Sequence, residues 1–209
     1  ANKIITTGEG GMVITKHPEL ADKIKLYRDH GMMPERRYWH EVSGLNYRLT
    51  NVQAAIGLAQ IEQLEQFLDH RMKIVSCYND NLKNSEFFNI PKSAKWAKNI
   101  FWLYTIVLRE CQGSMNRDEL ANALRKNGID TRNVFEPLHL QPAFPKSGRS
   151  FDNSLRFAKN GLCLPMSNSI ELEDVHKACQ ILLNILFEHN SNVKSKKLYI
   201  NKIKKRKKK

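Results

Sequence analysis

The sequence predicts an α/β protein, and three observations in the pattern of apolar residues support that class. A long helix is predicted from Thr50, because Thr50 and Gln53 form a capping-box pattern and the apolar residues that follow recur at helical spacing. The run FWLYTIVL, Phe101 to Leu108, is rich in aromatic and β-branched residues and predicts a buried strand. From about residue 95 to 188 a strand, a helix, a strand and a helix follow one another, which indicates a small α/β domain.

The first fifty residues predict shorter elements. Two strands, Ile4 to Thr7 and Met12 to Thr15, are expected on either side of the turn Gly8-Glu9-Gly10-Gly11, because glycine supplies the positive φ angles of a tight reversal. The apolar spacing from Pro18 to Tyr27 predicts a helix. The stretch from Asp29 to Tyr47 is rich in charged and aromatic residues without a period, so we expect a long loop of the kind that often carries function.

The remaining elements follow in order along the chain. The long helix that begins at Thr50 is predicted to lie within residues 51–94. A compact helix is expected after Asn116, a good N-cap residue, and Gly128 is expected just beyond its end. A short strand, IDTRNVF, follows, and the last helix is predicted over Leu172 to Phe187.

The net charge of +13 is concentrated at one end of the chain. Ten of the 34 Lys and Arg residues lie between Lys194 and Lys209, where there is no Asp or Glu, so the rest of the chain carries only +3. This segment is low in complexity, and we expect residues 189–209 to be a disordered, solvated basic tail. Contact of the tail with nucleic acid or another anionic surface stays open as the alternative. Nothing outside the tail resembles an RNA-binding motif.

The cysteines and the hydropathy pattern bear on the cellular compartment. Cys77, Cys111, Cys163 and Cys179 are widely spaced and form no CxxC pair, which favours reduced thiols and gives no reason to expect a metal site. No stretch of about 18 apolar residues and no signal-like N-terminal run is present. We therefore expect a cytoplasmic protein without a membrane partner.

Four stretches in order carry a resemblance to a known family: NKIITTGEGGMVIT, RRYWHEVSGLNYRLTNVQAAIGLAQIEQL, NVFEPLHLQPAF and LCLPMSNSIELEDV. Together they resemble the C-terminal half of the DegT/StrS-type nucleotide-sugar aminotransferases, which use pyridoxal 5'-phosphate on the type I aminotransferase fold. The segments RYWHE and GLNYRLTN most resemble perosamine synthases, which aminate C4 of a nucleotide-linked 4-keto-6-deoxysugar. The resemblance covers almost everything except the basic tail.

The resemblance implies a catalytic role for Lys3. In this family the lysine just before the TTGEGG turn holds the cofactor covalently, and Lys3 occupies that position. Such a lysine must be unprotonated often enough to attack an aldehyde, and its amine then shuttles a proton between the cofactor and the sugar carbon. Without the family, a single lysine before a glycine-rich turn is an ordinary surface residue.

The resemblance also implies cofactor and substrate contacts in the loop before the long helix. Asn46 would donate its amide to the cofactor phosphate of the neighbouring subunit, and Arg48 would be an anion partner or an interface ion pair. Tyr38, Trp39 and His40 would line the sugar-nucleotide cleft. From the residues alone, Asn46 with Thr50 also fits a plain helix entry, and the aromatic residues fit a packed loop.

His139, in PLHLQP, is expected in a loop stiffened by the prolines on either side. The family places this loop near the active site, so the resemblance implies that His139 contacts the substrate or a proton-transfer path. A single histidine is equally compatible with a structural role.

The domain assignment and the function follow from the resemblance. Residues 1–50 would be a remnant of the large cofactor-binding domain with the interface loop, residues 51–94 the connecting helix and residues 95–188 the small C-terminal domain. The whole would be a homodimeric sugar-nucleotide aminotransferase that takes its amino group from a donor such as glutamate. The cofactor's other contacts would come from the large domain before the lysine, so we expect the 209-residue chain to be a fragment and inactive by itself. A non-catalytic dimerisation or binding module is the alternative.

Overall fold

The computed structural model describes residues 3–110, 114–144 and 148–206, and at Lys194 and residues 196–206 it describes the backbone only. The chain forms two compact units, Ala1–Gln66 and Phe67–Lys209. This division differs from the boundaries at residues 50, 94 and 188 that the sequence suggests. We call these two parts the first unit and the second unit.

The first unit contains two helices, α1 (Pro18–Arg28) and α2 (Asn51–Ile61). Helix α2 begins with the expected capping box, in which the Thr50 side chain accepts the Gln53 N–H while the Gln53 side chain accepts the Thr50 N–H. The two predicted strands, Ile4 to Thr7 and Met12 to Thr15, are absent from the described part of this unit. That prediction was wrong because an extended segment becomes a strand only beside a second strand, and the described residues place none there.

The predicted continuous helix over residues 51–94 is interrupted. Helix α2 ends at Ile61 and a separate helix, α3 (Leu64–Leu82), follows after two residues. At the break the Gln63 N–H bonds the Gln60 carbonyl, and the Gln63 side chain donates to the Ala59 carbonyl at 3.0 Å, which replaces the regular i to i+4 pattern. The chain beyond Leu82 enters the sheet, so the connecting helix is shorter than predicted.

The second unit is built around a four-stranded sheet in which every pair is antiparallel. Its strands are β1 (Phe88–Asn89), β2 (Tyr104–Leu108), β3 (Arg132–Asn133) and β4 (Gly161–Leu164), in the order β1-β2-β4-β3. Strand β2 confirms most of the predicted Phe101 to Leu108 strand. The central strand β4 and the helix before it, α5 (Asp152–Asn160), were not predicted from the sequence.

Helices α3, α4 (Arg117–Lys126) and α6 (Leu172–Arg206) supply most of the rest of the core. Helix α4 has the expected Asn116 capping box, and Gly128 follows its end with a φ of 77°. Tyr78 and Tyr104 stack at the centre with ring centroids 4.6 Å apart. The fully buried side chains around them come from all three helices and from the central strands: Ile74, Leu82, Ile106, Leu120, Leu124, Leu162, Val175, Cys179 and Leu182.

The basic tail is helical as far as the structure describes it. Helix α6 continues without a break to Arg206, so the predicted disorder over residues 189–209 is wrong for residues 189–206. The segment from Leu172 to Arg206 contains neither glycine nor proline, and Lys and Arg are good helix formers that extend a helix already fixed by its packed beginning. Within the described residues no helix is long and apolar enough to cross a membrane.

Removing residues 194–209 is expected to lower the helical circular-dichroism signal while leaving the melting temperature nearly unchanged. Among the described side chains of helix α6, Leu186 is the last buried one, so the removed part contributes no described core contact. The change in the free energy of unfolding should stay within about 0.5 kcal/mol, as for ordinary surface changes. Thermal denaturation followed at 222 nm measures both quantities. A large fall in melting temperature would mean that the tail packs against the protein.

Candidate active site

The TTGEGG segment, Thr6 to Gly11, lies against helix α2 in the first unit. The Gln60 side chain accepts the Thr6 N–H at 2.9 Å and donates to the Thr6 carbonyl, which reproduces both hydrogen bonds of a neighbouring strand. The Gln53 side chain donates to the Glu9 carbonyl at 3.2 Å. Two glutamine side chains on one helix therefore fix the backbone of the segment that follows Lys3.

Gly57 allows this close approach. It is the buried residue of helix α2, and a Cβ added there would lie 3.0 Å from the Thr7 Cγ2 atom. A larger side chain would push the segment away from the helix. The glycine within VQAAIGLAQ thus acts by its missing side chain, which the sequence pattern alone does not reveal.

Lys3 lies at the beginning of this segment and is exposed to solvent. The backbone after it is turned by Gly8 and Gly10, whose φ angles are 84° and 157°. The Thr7 hydroxyl closes the turn by donating to the Glu9 carbonyl at 2.5 Å. The lysine amine thus extends from a segment whose backbone is held by both a tight turn and helix α2.

The loop over residues 29–47 is closed by backbone hydrogen bonds. The His30 N–H donates to the Leu45 carbonyl at 2.9 Å, and the Tyr47 N–H donates to the Arg28 carbonyl at the same distance. Gly31 and Gly44 lie where two backbone segments approach closely, and an added Cβ at either position would collide with backbone atoms. The predicted loop is therefore an irregular hairpin rather than a free connection.

Asn46 and Arg48 lie on the returning side of this hairpin. The exposed Asn46 forms an isolated bridge with Asp29 through the backbone. The Arg48 guanidinium pairs with the Asp29 carboxylate at 3.3 Å and keeps 66% of its side chain exposed. The next residue, Leu49, approaches Gly10, since an added Cβ there would lie 3.6 Å from the Leu49 Cδ1 atom. The hairpin and the segment that begins at Lys3 thus meet in the first unit.

The aromatic residues of the hairpin are stacked by arginines. The Arg36 guanidinium lies 3.9 Å from the centre of the Trp39 ring, and the Arg37 guanidinium lies 4.9 Å from that of Tyr38. The His40 Nδ1 atom lies 2.9 Å from the His30 carbonyl, so this histidine is tied to the hairpin backbone. All three predicted cleft residues are exposed, and Tyr38 has an unusual φ of 65°.

A groove of about 960 Å³ lies between helix α1 and the hairpin. It is lined by acidic and basic side chains in equal numbers, among them Arg48 and Asp29. Tyr38, Trp39 and His40 are not part of its lining, so the structure brings only Arg48 of the predicted site residues to this groove. Such a mixed lining favours contact with a polar partner over an apolar ligand.

His139 lies in the second unit, in the middle of a short 3-10 helix over Leu138–Leu140. Its ring contacts Phe151 with centroids 4.8 Å apart, and Pro137 beside it is buried. A buried proline therefore precedes the turn, and the stiffening of this loop by Pro137 and Pro142 stays a prediction. No hydrogen bond of the His139 ring is among those described.

The three described thiols are poor candidates for a catalytic group. Cys77, Cys163 and Cys179 are free, and burial raises the pKa of each, that of Cys179 to about 12. They are therefore protonated at neutral pH and poor nucleophiles. Cys111 lies outside the described residues. Within the described residues no group of His, Cys, Asp and Glu has the arrangement of a metal site.

Comparison with known proteins identifies the class. Residues 1–183 match the DegT/DnrJ/EryC1/StrS aminotransferase family, and the chain belongs to that family. It is 38% identical over 190 residues to the GDP-perosamine synthase of Caulobacter vibrioides, covering 88% of this chain and 50% of that protein. The GDP-perosamine synthase of Escherichia coli O157:H7 is 36% identical over 179 residues, with 86% of this chain and 48% of that protein covered.

The fold agrees with this membership. The aminotransferase TlmJ from Streptoalloteichus hindustanus superposes with a TM-score of 0.77 at 26% identity, covering 86% of this chain and 48% of that one. The chain spans about half the length of the curated relatives it matches. These matches confirm the resemblance to the C-terminal half of this family and to perosamine synthases. They also confirm the fold that the resemblance implied.

Proposed function

We propose that this chain is the lysine-bearing part of a pyridoxal-phosphate-dependent aminotransferase that transfers an amino group to C4 of a GDP-linked 4-keto-6-deoxysugar. The carrying observation is the segment after Lys3, held on helix α2 by Gln60 and Gln53, in a chain that resembles GDP-perosamine synthases. The nucleotide and the sugar carbon are taken from that similarity. Glutamate is the amino donor that we propose.

The residues of the first unit fit the cofactor in two respects. The exposed Lys3 supplies a primary amine, which is the group that bonds an aldehyde. The exposed side-chain amide of Asn46 supplies an N–H donor, which suits a phosphate oxygen. When bound, pyridoxal phosphate supplies the aldehyde and a ring that accepts electrons from the reacting carbon. We do not assign any residue of this chain as the carboxylate that would face the ring nitrogen.

Lys3 has two roles in this proposal. Its Nζ atom would hold the cofactor covalently, and the same amine would move a proton to or from the sugar carbon. Both roles require the amine to stay in one place through the reaction, because a displacement of about 1 Å costs much of the rate. The hydrogen bonds of Gln60 to Thr6 provide that positioning.

Asn46 and Arg48 would bind anions from the hairpin. Asn46 is proposed to donate to the cofactor phosphate of a second subunit. Arg48 is proposed to contact an anionic group of the cofactor while Asp29 fixes the direction of its guanidinium. The Asp29 carboxylate pairs with one guanidinium nitrogen of Arg48, so the remaining N–H donors stay available to a ligand.

The aromatic tip of the hairpin is proposed to contact the substrate. Tyr38 and Trp39 present exposed rings, each backed by an arginine, and His40 is oriented by the His30 carbonyl. His139, half-buried against Phe151, would contact the sugar or assist its proton transfer. These roles follow from the family resemblance, to which the geometry adds exposure and fixed orientation.

The exposed apolar surface of helix α2 supports a larger assembly. Val52, Ile56, Leu58 and Ile61 are all exposed, and so wide an apolar helix surface is normally buried in a larger protein. Met12 and Ile14 are also more than 80% exposed. We propose that these residues are covered in a homodimer of the complete enzyme. The free thiols favour the cytoplasm as its compartment.

A catalytically inactive dimerisation or binding module is the second candidate. It is favoured by one observation, the coverage of only half of each curated relative. The two candidates differ in cofactor chemistry. Only the aminotransferase uses the Lys3 amine, so covalent cofactor attachment at Lys3 distinguishes the two.

The test joins the first half of the Caulobacter vibrioides GDP-perosamine synthase to residue 1 of this chain. The chimera is expected to aminate a GDP-linked 4-keto-6-deoxysugar with glutamate as donor, measured by mass spectrometry of the sugar nucleotide. The 209-residue chain alone is expected to show no turnover, because an amine without a held ring and phosphate lacks most of the positioning. A folded chimera that binds the cofactor but forms no amino sugar would contradict the proposed reaction.

A further inference from the structure

A tight turn in the second unit presents a lysine and a tryptophan side by side. The Ala97 N–H donates to the Ala94 carbonyl at 3.0 Å, which makes Lys95 and Trp96 the two corner residues. Trp96 is 90% exposed, the largest exposure among the described large apolar side chains. Indole rings are normally buried for most of their surface, so this position is unfavourable unless something stacks on the ring.

All charged residues around the turn are basic. Lys92 and Lys98 flank the turn and are exposed, and no Asp or Glu occurs from Phe87 to Arg109. The described ion pairs include none of Lys92, Lys95 and Lys98. The turn therefore combines one flat aromatic surface with three nearby cationic groups.

The base of the turn, residues 99–102, is held by hydrogen bonds. The Asn99 side chain accepts the Phe101 N–H at 2.9 Å. The buried Arg71 guanidinium donates to the Phe101 carbonyl at 3.1 Å and to the Trp102 carbonyl at 3.4 Å. These contacts hold Phe101 at a φ of 46°, which non-glycine residues rarely adopt.

The base of the turn also borders the segment that carries His139. The Trp102 ring stacks on Phe135 with centroids 6.0 Å apart and planes inclined by 19°. Phe135 precedes the 3-10 helix of His139 by three residues. The segment after the turn and the residues before His139 thus contact each other in the second unit.

We propose that the turn Ala94–Ala97 binds the nucleoside diphosphate part of the sugar nucleotide. Trp96 would stack on the base, and Lys95 with its neighbours Lys92 and Lys98 would contact the diphosphate. A nucleoside diphosphate has an aromatic ring and two adjacent anions, which is the complement of this turn. The proposal rests on the proposed function for the identity of the ligand and concerns the second unit alone.

The test measures binding of GDP to the 209-residue chain by isothermal calorimetry and tryptophan fluorescence. Trp96→Leu is expected to weaken GDP binding about tenfold, because stacking on an aromatic ring is lost. Trp96→Phe keeps a ring and should retain most of the affinity. Lys95→Gln combined with Lys98→Gln should weaken the binding of GDP and make its affinity less dependent on salt concentration. Lys126→Gln, which changes an exposed lysine on helix α4, should alter neither the affinity nor its salt dependence.

Two simpler probes separate the contributions. Guanosine should lose affinity with Trp96→Leu but not with the lysine variants, and inorganic pyrophosphate should show the reverse. Equal GDP binding by the chain and Trp96→Leu would overturn the proposal, as would absence of binding at millimolar GDP. Cofactor attachment at Lys3 is measured separately, so a failure of GDP binding is distinguishable from a failure of the proposed aminotransferase function.

Discussion

Lys3→Ala in the chimeric enzyme is expected to abolish covalent attachment of pyridoxal phosphate and to lower turnover by more than about a thousandfold. The alanine removes both the covalent anchor and the proton carrier, and a positioned acid or base alone contributes roughly 10² to 10⁴ in rate. Borohydride reduction followed by peptide mapping identifies the lysine that carries the cofactor. In the unmodified chimera the label should be confined to Lys3.

The matched control is Lys16→Ala, which removes an exposed lysine that follows the same glycine-rich segment. It should leave both label and turnover unchanged. In the 209-residue chain alone, weak labelling spread over several lysines is expected, since no complete pocket selects one amine. Turnover by a chimera that carries Lys3→Ala would show that another residue is the nucleophile.

Arg71→Ala is expected to lower the free energy of unfolding by about 3 kcal/mol, the largest effect on stability predicted from a single polar residue here. Arg71 is 4% exposed, and it connects helix α3 to two other parts of the second unit. Its guanidinium donates to Phe101 and Trp102 on one side and to the Met166 carbonyl and the Asn168 side chain on the other. Alanine would leave those carbonyls buried without their donor.

Urea denaturation of the chain measures this change. Arg71→Lys keeps the charge but cannot reach both sides with one planar group, so it should lose nearly as much stability. Lys73→Ala, an exposed residue on the same helix, should change the free energy of unfolding by less than about 0.5 kcal/mol. Burial lowers the pKa of Arg71, yet an arginine remains charged at neutral pH. A loss below about 1 kcal/mol for alanine would show that the buried guanidinium adds little net stability.

Arg71 also shows what sequence reasoning missed. In the sequence it is one basic residue in a helix, and nothing in the 3.6-residue pattern separates it from an exposed arginine. Its role comes from carbonyl groups 30 and 95 positions away along the chain. Gln53 and Gln60 are similar: Gln53 was identified as a capping residue, but its bond to Glu9 and the contacts of Gln60 with Thr6 join distant segments.

The sequence by itself determined the features that depend on neighbouring residues. The capping boxes of Thr50 and Asn116, the Gly128 helix end and the strand that includes Tyr104 to Leu108 all follow from local geometry or local composition. The family was also evident from short motifs, because residues that serve one chemistry occur at fixed positions in the chain. The local features depend on short stretches of the chain and not on distant partners.

Only the tertiary structure decided the features that need a distant partner. Whether Ile4 to Thr7 forms a strand depends on another strand beside it, and the described residues place the Gln60 side chain there instead. Strand β4 and helix α5 were missed because a four-residue strand has too short a pattern to be read without its neighbours. Helix α6 runs on to Arg206 because its first turns are fixed in the core, a long-range cause that the composition of the tail does not contain.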